Sequence, residues 1–501
     1  MSQLTYEINL QQTIFPMLSE QQGRTVIAPS KGEGQAASDL PSVAYCHNVM
    51  PSDYGFDSVA YVDTVAAASP RYADFIDVRV IYGDKRSRIY MGWDATGRVY
   101  TLLEGSTTWL SIPITSPSTG GSNFKADEVT IGTVNGISYI FYSKKGGFTY
   151  NEATNTLINV PFPALTISTI LGMVASSGYL IAYTDGDIAW SSTIDPTDFI
   201  PSQVTGAGGG SVAGIAGDIL FVTVSPVGVI VHSAANAIAA TYTGNVQYPF
   251  KFREIADSKG GLSLDLVAYE ANSANQFIYS KGGLQLLNSK SATAILPEVT
   301  DFLAGKRFED YNEATKLYEY TEVPAGMVKK IKYISARYLV ISYGVTSFTH
   351  ALVFDTSLNK LGKLRINHVD VFEYVGEQIE IAKEAMAFVT STGEVKVVDF
   401  STDVDSSGVV IFGKVQATRK RMLMLHSATI ENIPTDSVLQ CSDQAALDGK
   451  NFTVVEGTLA DTDENLRTYA FRSTAKNHSI AIAGKFNLTT LQLLYTQAGT
   501  R

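Results

Sequence analysis

Cysteine is almost missing from this chain of 501 residues: Cys46 and Cys441 stand alone and far apart. A disulfide framework is therefore excluded as the source of stability, and a reducing compartment is the simplest setting. Cys46 and His47 adjoin but have no CxxC or HxxxH companion, so the spacing of a zinc site is missing and a packed or turn residue is expected there. Charge is also scarce, at 17% of residues, and 38 Lys and Arg face 49 Asp and Glu for a formal net charge of −11. Tight grip on nucleic acid needs cations that displace counterions, so that balance excludes it as the main task while leaving DNA free to slide past. The N-terminus has Glu7 early, no basic stretch and no small-residue cleavage site, so no secretory signal is expected.

The usual markers of catalysis are absent too. There is no GxSxG and no HExxH, and His47, His232, His350, His368, His426 and His478 are scattered among strand-like residues. The glycine cluster "GAGGGS" (206–211) places Ser211 where a phosphate loop needs Lys, and strand-like residues rather than a helix follow. It is expected to be a flexible connection between strands. Asp195 with Asp198, and Glu309 with Asp310, are local carboxylate pairs, and their spacing says nothing about the facing pair a glycosidase needs. Asp195-Pro196 reads instead as a turn opener whose side chain accepts from its own backbone. The uncharged run from Ile219 to Ala240 is interrupted by Pro226, Gly228, His232 and Asn236, which predicts a hairpin rather than a membrane-spanning helix.

What is plentiful is glycine (41 residues) and apolar and aromatic side chains (45% and 10%), a profile that fits buried pleated strands joined by tight turns. From Arg88 onward, units of similar shape follow one another: apolar strand, Gly- or Asp-containing turn, second strand, third strand, polar loop. Segments opening "RIYMGWDATGR", "ISYIFYSKKGG", "GYLIAYTDGD", "DILFVTVSPVG", "NQFIYSKGGLQ", "RYLVISYGVTS" and "EAMAFVTSTGE" make about seven units spaced by roughly 40 to 65 residues, as propeller blades are. "YSKKGGF" and "YSKGGLQ" repeat one hairpin tip, and "SKGGLSL" from Ser258 is a third echo. The fold class expected is all-β: a β-propeller of about seven blades over residues 61–414. An N-terminal arm and linker (1–60) precedes it, and a β-sandwich-like domain (415–501) with longer alternating strands follows.

The arm is apolar yet has no evident partner strand nearby, so Leu4, Tyr6, Ile8, Ile14 and Phe15 are candidate contacts to another protein or subunit. Arg419, Lys420 and Arg421 form the densest basic patch, which suits an inter-subunit contact better than a groove tracking nucleic acid. No cofactor or metal is expected.

The stretch "GYLIAYTDGDIAWSSTIDPTDFIPSQVTGAGGGSVAGIAGDILFVTVSPVGVIVH" resembles the tail-hub, or packaged-DNA-stabilisation, proteins of short-tailed bacteriophages. "HNVMPSDYGFDSV" looks like that family's opening segment and "SATIENI…SDQAALDGKNFT" like its C-terminal β-domain. The resemblance implies a virion tail protein, a hub or nozzle assembled in the host cytoplasm into a homo-oligomeric ring, a hexamer. Its partners would be the portal-adaptor above and fibre or spike proteins around it. DNA is retained and ejected through the ring without specific binding, and the chain inserts into no membrane and is not an enzyme. The competing expectation is a propeller that binds or cleaves surface glycans. An enzyme should gather buried acidic or Arg side chains at the central mouth; a hub should lack such a cluster.

Overall fold

Local turn chemistry sets the first level of structure. Asn135 and Gly136 both take positive φ (53° and 79°) and link Val129–Val134 to Ile137–Tyr142; Ser177 and Gly178 repeat the device one sheet later. Two such residues give the turn whose twist matches that of paired strands. The computed structural model describes residues 3–9, 26–27, 43–53, 55–65, 75–112, 125–269, 273, 275–304, 308–312, 317–321, 328–374, 385–399, 408–412, 415–416, 421–431, 438–444, 453–462, 466–475 and 477–500.

Among these, six sheets are four-stranded antiparallel meanders, and a seven-stranded sheet begins with a seventh meander of the same kind. In chain order we number them as blades. Blade 1 is Phe75–Tyr82, Arg88–Asp94, Val99–Leu103 and Leu110–Ser111; blade 2 is Val129–Val134, Ile137–Tyr142, Gly146–Asn151 and Thr156–Val160. Blade 3 is Gly172–Ser176, Tyr179–Tyr183, Asp187–Trp190 and Gly208–Ser211; blade 4 is Ile219–Ser225, Gly228–Ser233, Ala237–Tyr242 and Phe250–Glu254. Blade 5 is Val267–Tyr269, Gln276–Ser280, Gly283–Leu287 and Ala292–Ala294, followed by the one α-helix among the described residues, Pro297–Leu303. Blade 6 starts with Val328–Ile334, Tyr338–Gly344, Phe348–Asp355 and Lys360–His368 and is widened by Val49–Pro51, Phe56–Ser58 and Asn487–Leu488. Blade 7 is Asp370–Tyr374, Ala385–Val389 and Val395–Asp399, completed by Ala60–Val65 from the other end of the chain.

The first strand of each blade touches the first strand of the next, and that of blade 7 touches that of blade 1, so the inner strands close a ring. The chain is a β-propeller. An apolar cluster fills every gap between neighbouring blades; that between blades 1 and 2 holds Trp93, whose indole N–H donates to the Tyr142 hydroxyl at 3.0 Å. Strands covered on both faces need apolar residues throughout, and Tyr179–Tyr183 is buried at every position. Across the closure, Trp109 Nε1 donates to the Gly393 carbonyl at 2.7 Å and the Phe75 amide to that of Ser391 at 2.9 Å.

Beside blades 6 and 7 lie two further sheets. One orders Gln3–Asn9, Thr490–Thr500, Arg421–Glu431, Leu466–Ala475 and Thr458–Thr462. The other is built on Asn477–Gly484 with Gly408–Phe412, Val43–His47, Val415–Gln416, Val26–Ile27, Val438–Gln444 and Thr453–Glu456. Their shared core includes Cys46, Val410, Leu425, Tyr469, Ile482 and Tyr495.

Four expectations change. Six of the seven quoted units begin on a blade's second strand, because inner strands follow loops rather than tight turns and carry no hairpin signal of their own. Gly208–Ser211 is not a loop but the outer strand of blade 3, paired with Asp187–Trp190. "SKGGLSL" from Ser258 is the connection from blade 4 to blade 5, whereas the two related segments are hairpin tips. The arm is not without a strand partner: Gln3–Asn9 pairs along its whole length with Thr490–Thr500, and 43–58 is built into two sheets. The sandwich thus draws on both ends of the chain rather than on 415–501 alone.

Candidate functional site

Alternation along an inner strand sends residues two apart to one side, and in blade 1 that pair is Asp77 and Arg79. Arg79 Nε reaches Asp77 Oδ2 at 2.8 Å, while its two terminal nitrogens donate to the carbonyls of Val129 (2.5 Å) and Ala126 (3.0 Å) at the start of blade 2. From blade 6, Lys330 Nζ donates to Asp77 Oδ1 at 2.6 Å and to Asp370 Oδ2 of blade 7 at 2.8 Å. Asp370 also accepts from the amides of Val78 and Val371, and Lys332 stands 3.5 Å away. Five charged side chains from blades 1, 6 and 7 thus converge where the inner strands begin.

Burial alone would raise the Asp77 carboxyl, but the charges of Arg79 and Lys330 override it and hold it well below the usual carboxylate range. Burial likewise disfavours the Lys330 ammonium, yet Asp370 and Asp77 keep it above its ordinary value; Asp370 itself is pushed up by burial against the pull of Lys330 and Lys332. At the far end of the same strands, Arg88 of blade 1 donates to Glu373 of blade 7 (3.2 Å), which accepts from Ser335 of blade 6 (2.6 Å). Between the two clusters runs an axial cavity of about 530 Å³, to which every inner strand contributes, with Thr130, Val174, Val222 and Tyr269 among its walls.

A convergence of buried acidic and basic groups at the centre is the feature expected of the glycan-acting alternative and not of a hub. The chemistry of the cluster is nevertheless that of a fastening. Asp77 and Asp370 each face a cation and Arg79 has all of its nitrogens engaged, as in a buried, paired ion group, while Asp265 from the connection into blade 5 lines the same cavity. The two Ser–His contacts among the described residues lie elsewhere. His368 meets Ser342 at 2.7 Å and His478 meets Ser473 at 3.1 Å, both buried, and the other ring nitrogen faces the Ile366 carbonyl in the first and has no partner in the second. Burial pushes the imidazoles of His232, His368 and His478 down to about 3, about 4 and about 4, so they are neutral packing groups. Among the described residues no cluster of three or more His, Cys, Asp or Glu has metal-holding geometry.

The residues singled out by sequence separate. Leu4, Tyr6 and Ile8 lie on the strand Gln3–Asn9, and Arg421 opens Arg421–Glu431 opposite Thr500. Ile14, Phe15, Arg419 and Lys420 fall outside the described residues, as do the side chains of Glu309 and Asp310. Asp195 Oδ1 accepts from the Thr197 amide (2.8 Å) and Asp198 Oδ1 from that of Ile200 (3.0 Å), so both serve their own loop. Cys46 is buried in the sandwich core, its thiol pushed up to about 12 by burial. Sequence reasoning missed Asp77, Lys330 and Asp370. "FIDVRV" and "VDVFEY" each put Asp inside an otherwise largely apolar strand, a pattern that marks a buried, paired ion, whereas "VKKIKY" carries three lysines and nothing in it singles out Lys330.

No family model matches the chain, and no curated protein matches it. Solved structures similar to it are propellers. The WD40 β-propeller domain of Doa1 is 10% identical, covering 69% of this chain and 98% of that one with a TM-score of 0.40. YCF48 from Cyanidioschyzon merolae is 11% identical, covering 68% and 98% with a TM-score of 0.40. At such distances the propeller assignment rests on the chain's own sheet order and ring of inner strands.

Proposed function

We propose that the chain is a structural protein of a short-tailed bacteriophage virion: a tail hub or nozzle that forms a homo-oligomeric ring, a hexamer, below the portal-adaptor. DNA is retained and ejected along that ring, and fibres or spikes attach to it. The observation that carries the reading is the sequence resemblance of 178–232 to tail hubs. The central charged cluster was expected of the glycan-acting alternative, and the hub reading is kept because each carboxylate of the Asp77–Lys330–Asp370 network is paired with a cation that joins blades 1, 6 and 7. The acidic balance, which lets DNA pass without adhering, supports it further. The protein then belongs to the tail, is assembled in the host cytoplasm and inserts into no membrane.

The test is electron microscopy of particles with the chain tagged at a surface loop. Density on the tail axis is expected. The reading falls if the chain is absent from that axis. It also falls if the isolated chain cleaves a surface polysaccharide and loses that activity on Asp195→Asn or Asp198→Asn, in which case the glycan-acting alternative takes its place.

A further inference from the structure

The inner strands enclose a space along the propeller axis, and the groups around it do more than fasten blades. Their charges balance. Arg79, Arg88, Lys330 and Lys332 carry four positive charges. Asp265 and Glu373, together with Asp77 and Asp370 against Lys330, carry four negative ones. A charged ligand would upset that balance where the dielectric is low, so the cavity suits a neutral one. Between the charges the walls are apolar and aromatic: Val174, Val222 and Ile331 stand among Tyr82, Tyr269 and Phe372. At about 530 Å³ the cavity is of the size that takes small molecules, and Asp265, which lines it and is exposed, marks a mouth.

Several polar groups here are left without a partner by the fold. Tyr269 lines the cavity, and its hydroxyl makes no hydrogen bond among the described residues. Tyr183, 3% exposed, brings a second unbonded hydroxyl to the place where a Cβ on Gly172 would stand. Burial pushes both hydroxyls up; Tyr183 also feels Tyr269, and the charge of Arg79 opposes the rise at each, so the two lie near one another and near Arg79. At the far end Arg88 Nε is buried and unpaired. Lys332 is in one ion pair only, at 3.5 Å, and the Asp265 carboxylate accepts no hydrogen bond among the described residues. Unmet donors and acceptors in a buried space are costly, and a ligand whose groups each donate and accept answers both kinds. We propose that the axial cavity binds a neutral polyhydroxy molecule of the monosaccharide or polyol class, its hydroxyls meeting Tyr269, Lys332 and Asp265 and its C–H faces lying against the aromatic walls. Nothing in this site depends on the tail reading.

The test is isothermal titration of the full chain with glucose, galactose, N-acetylglucosamine and glycerol, with citrate and spermidine as charged controls. Saturable binding of at least one neutral probe is expected, with a Kd of about 1 mM or below. Tyr269→Phe removes a hydroxyl that the fold does not use, and Asp265→Asn changes an exposed carboxylate. Each should weaken that binding by about tenfold with the melting curve unchanged. If Tyr269→Phe shifts the melting curve, Asp265→Asn alone decides. Three results overturn the site: no neutral probe binds, citrate or spermidine binds more tightly than every neutral probe, or both variants bind like the parent. Absence of the chain from the tail axis discards the tail reading and leaves the titration standing.

Discussion

At the scale of single residues, the buried histidines make stability depend on pH with a definite sign. His232 stacks on Phe221 with ring centroids 4.7 Å apart, contacts Thr223 Oγ1 at 3.0 Å through Nε2, and takes a proton only at about 3 when folded, against 6.5 for the ordinary imidazole. Because the unfolded chain binds that proton first, the full contribution is present above pH 6.5 and is lost as pH falls toward 3. His368 and His478 act in the same direction down to about 4. Melting temperature should therefore drop from pH 7 to pH 4.5, and His232→Gln should flatten that slope while lowering the value at pH 7. An unchanged slope would refute the assignment. These three histidines are on strands, as their neighbours suggested; their neutrality was not legible, since it comes from burial between packed blades for His232 and His368 and within the sandwich for His478.

At the scale of elements, the N-terminal strand decides how the sandwich ends. Gln3–Asn9 covers one edge of Thr490–Thr500, and an uncovered strand edge is a template for pairing with other chains. Deleting residues 1–9 should lower the denaturant midpoint and produce concentration-dependent aggregation, while the spectroscopic signature of the propeller persists. A midpoint equal to that of the parent would show the pairing to be dispensable. The hairpins were readable element by element: Ser225 pairs with Gly228 around the Pro226-Val227 turn, as the interrupted apolar run from Ile219 suggested. Gly208–Ser211 was not readable, because glycine marks loops by its own preference and becomes a strand here only by pairing with Asp187–Trp190.

At the scale of the molecule, closure is the event on which stability turns. Lys330 joins blade 6 to Asp77 of blade 1 and Asp370 of blade 7, and removing one partner of a buried ion group strands the others. Lys330→Met should cost about 3–5 kcal/mol at neutral pH. Part of that should be recovered by adding Asp370→Asn, and hydrogen exchange should quicken in blades 1 and 7 before it does in blades 3 and 4. Equal quickening in all blades would mean that the network does not fasten the ring. The same closure uses Ala60–Val65 as the fourth strand of blade 7, so the two ends of the repeat are locked by a strand from outside it.

The sequence alone determined what neighbours along the chain can determine: an all-β class from its glycine, aromatic and apolar content, the hairpins from their turn residues, the succession of blade-like units, and the lack of catalytic motifs. Turn preference is encoded within a few residues and survives without the rest of the fold. Tertiary structure decided which distant segments share a sheet and which charges share a site. Asp77 and Lys330 are 253 positions apart and Gln3–Asn9 finds its partner at the other terminus, pairings that only the burial of surrounding apolar strands selects. A charge inside an apolar strand announces that a partner must exist; its identity follows only when the ring closes and brings blades 1, 6 and 7 around one buried centre.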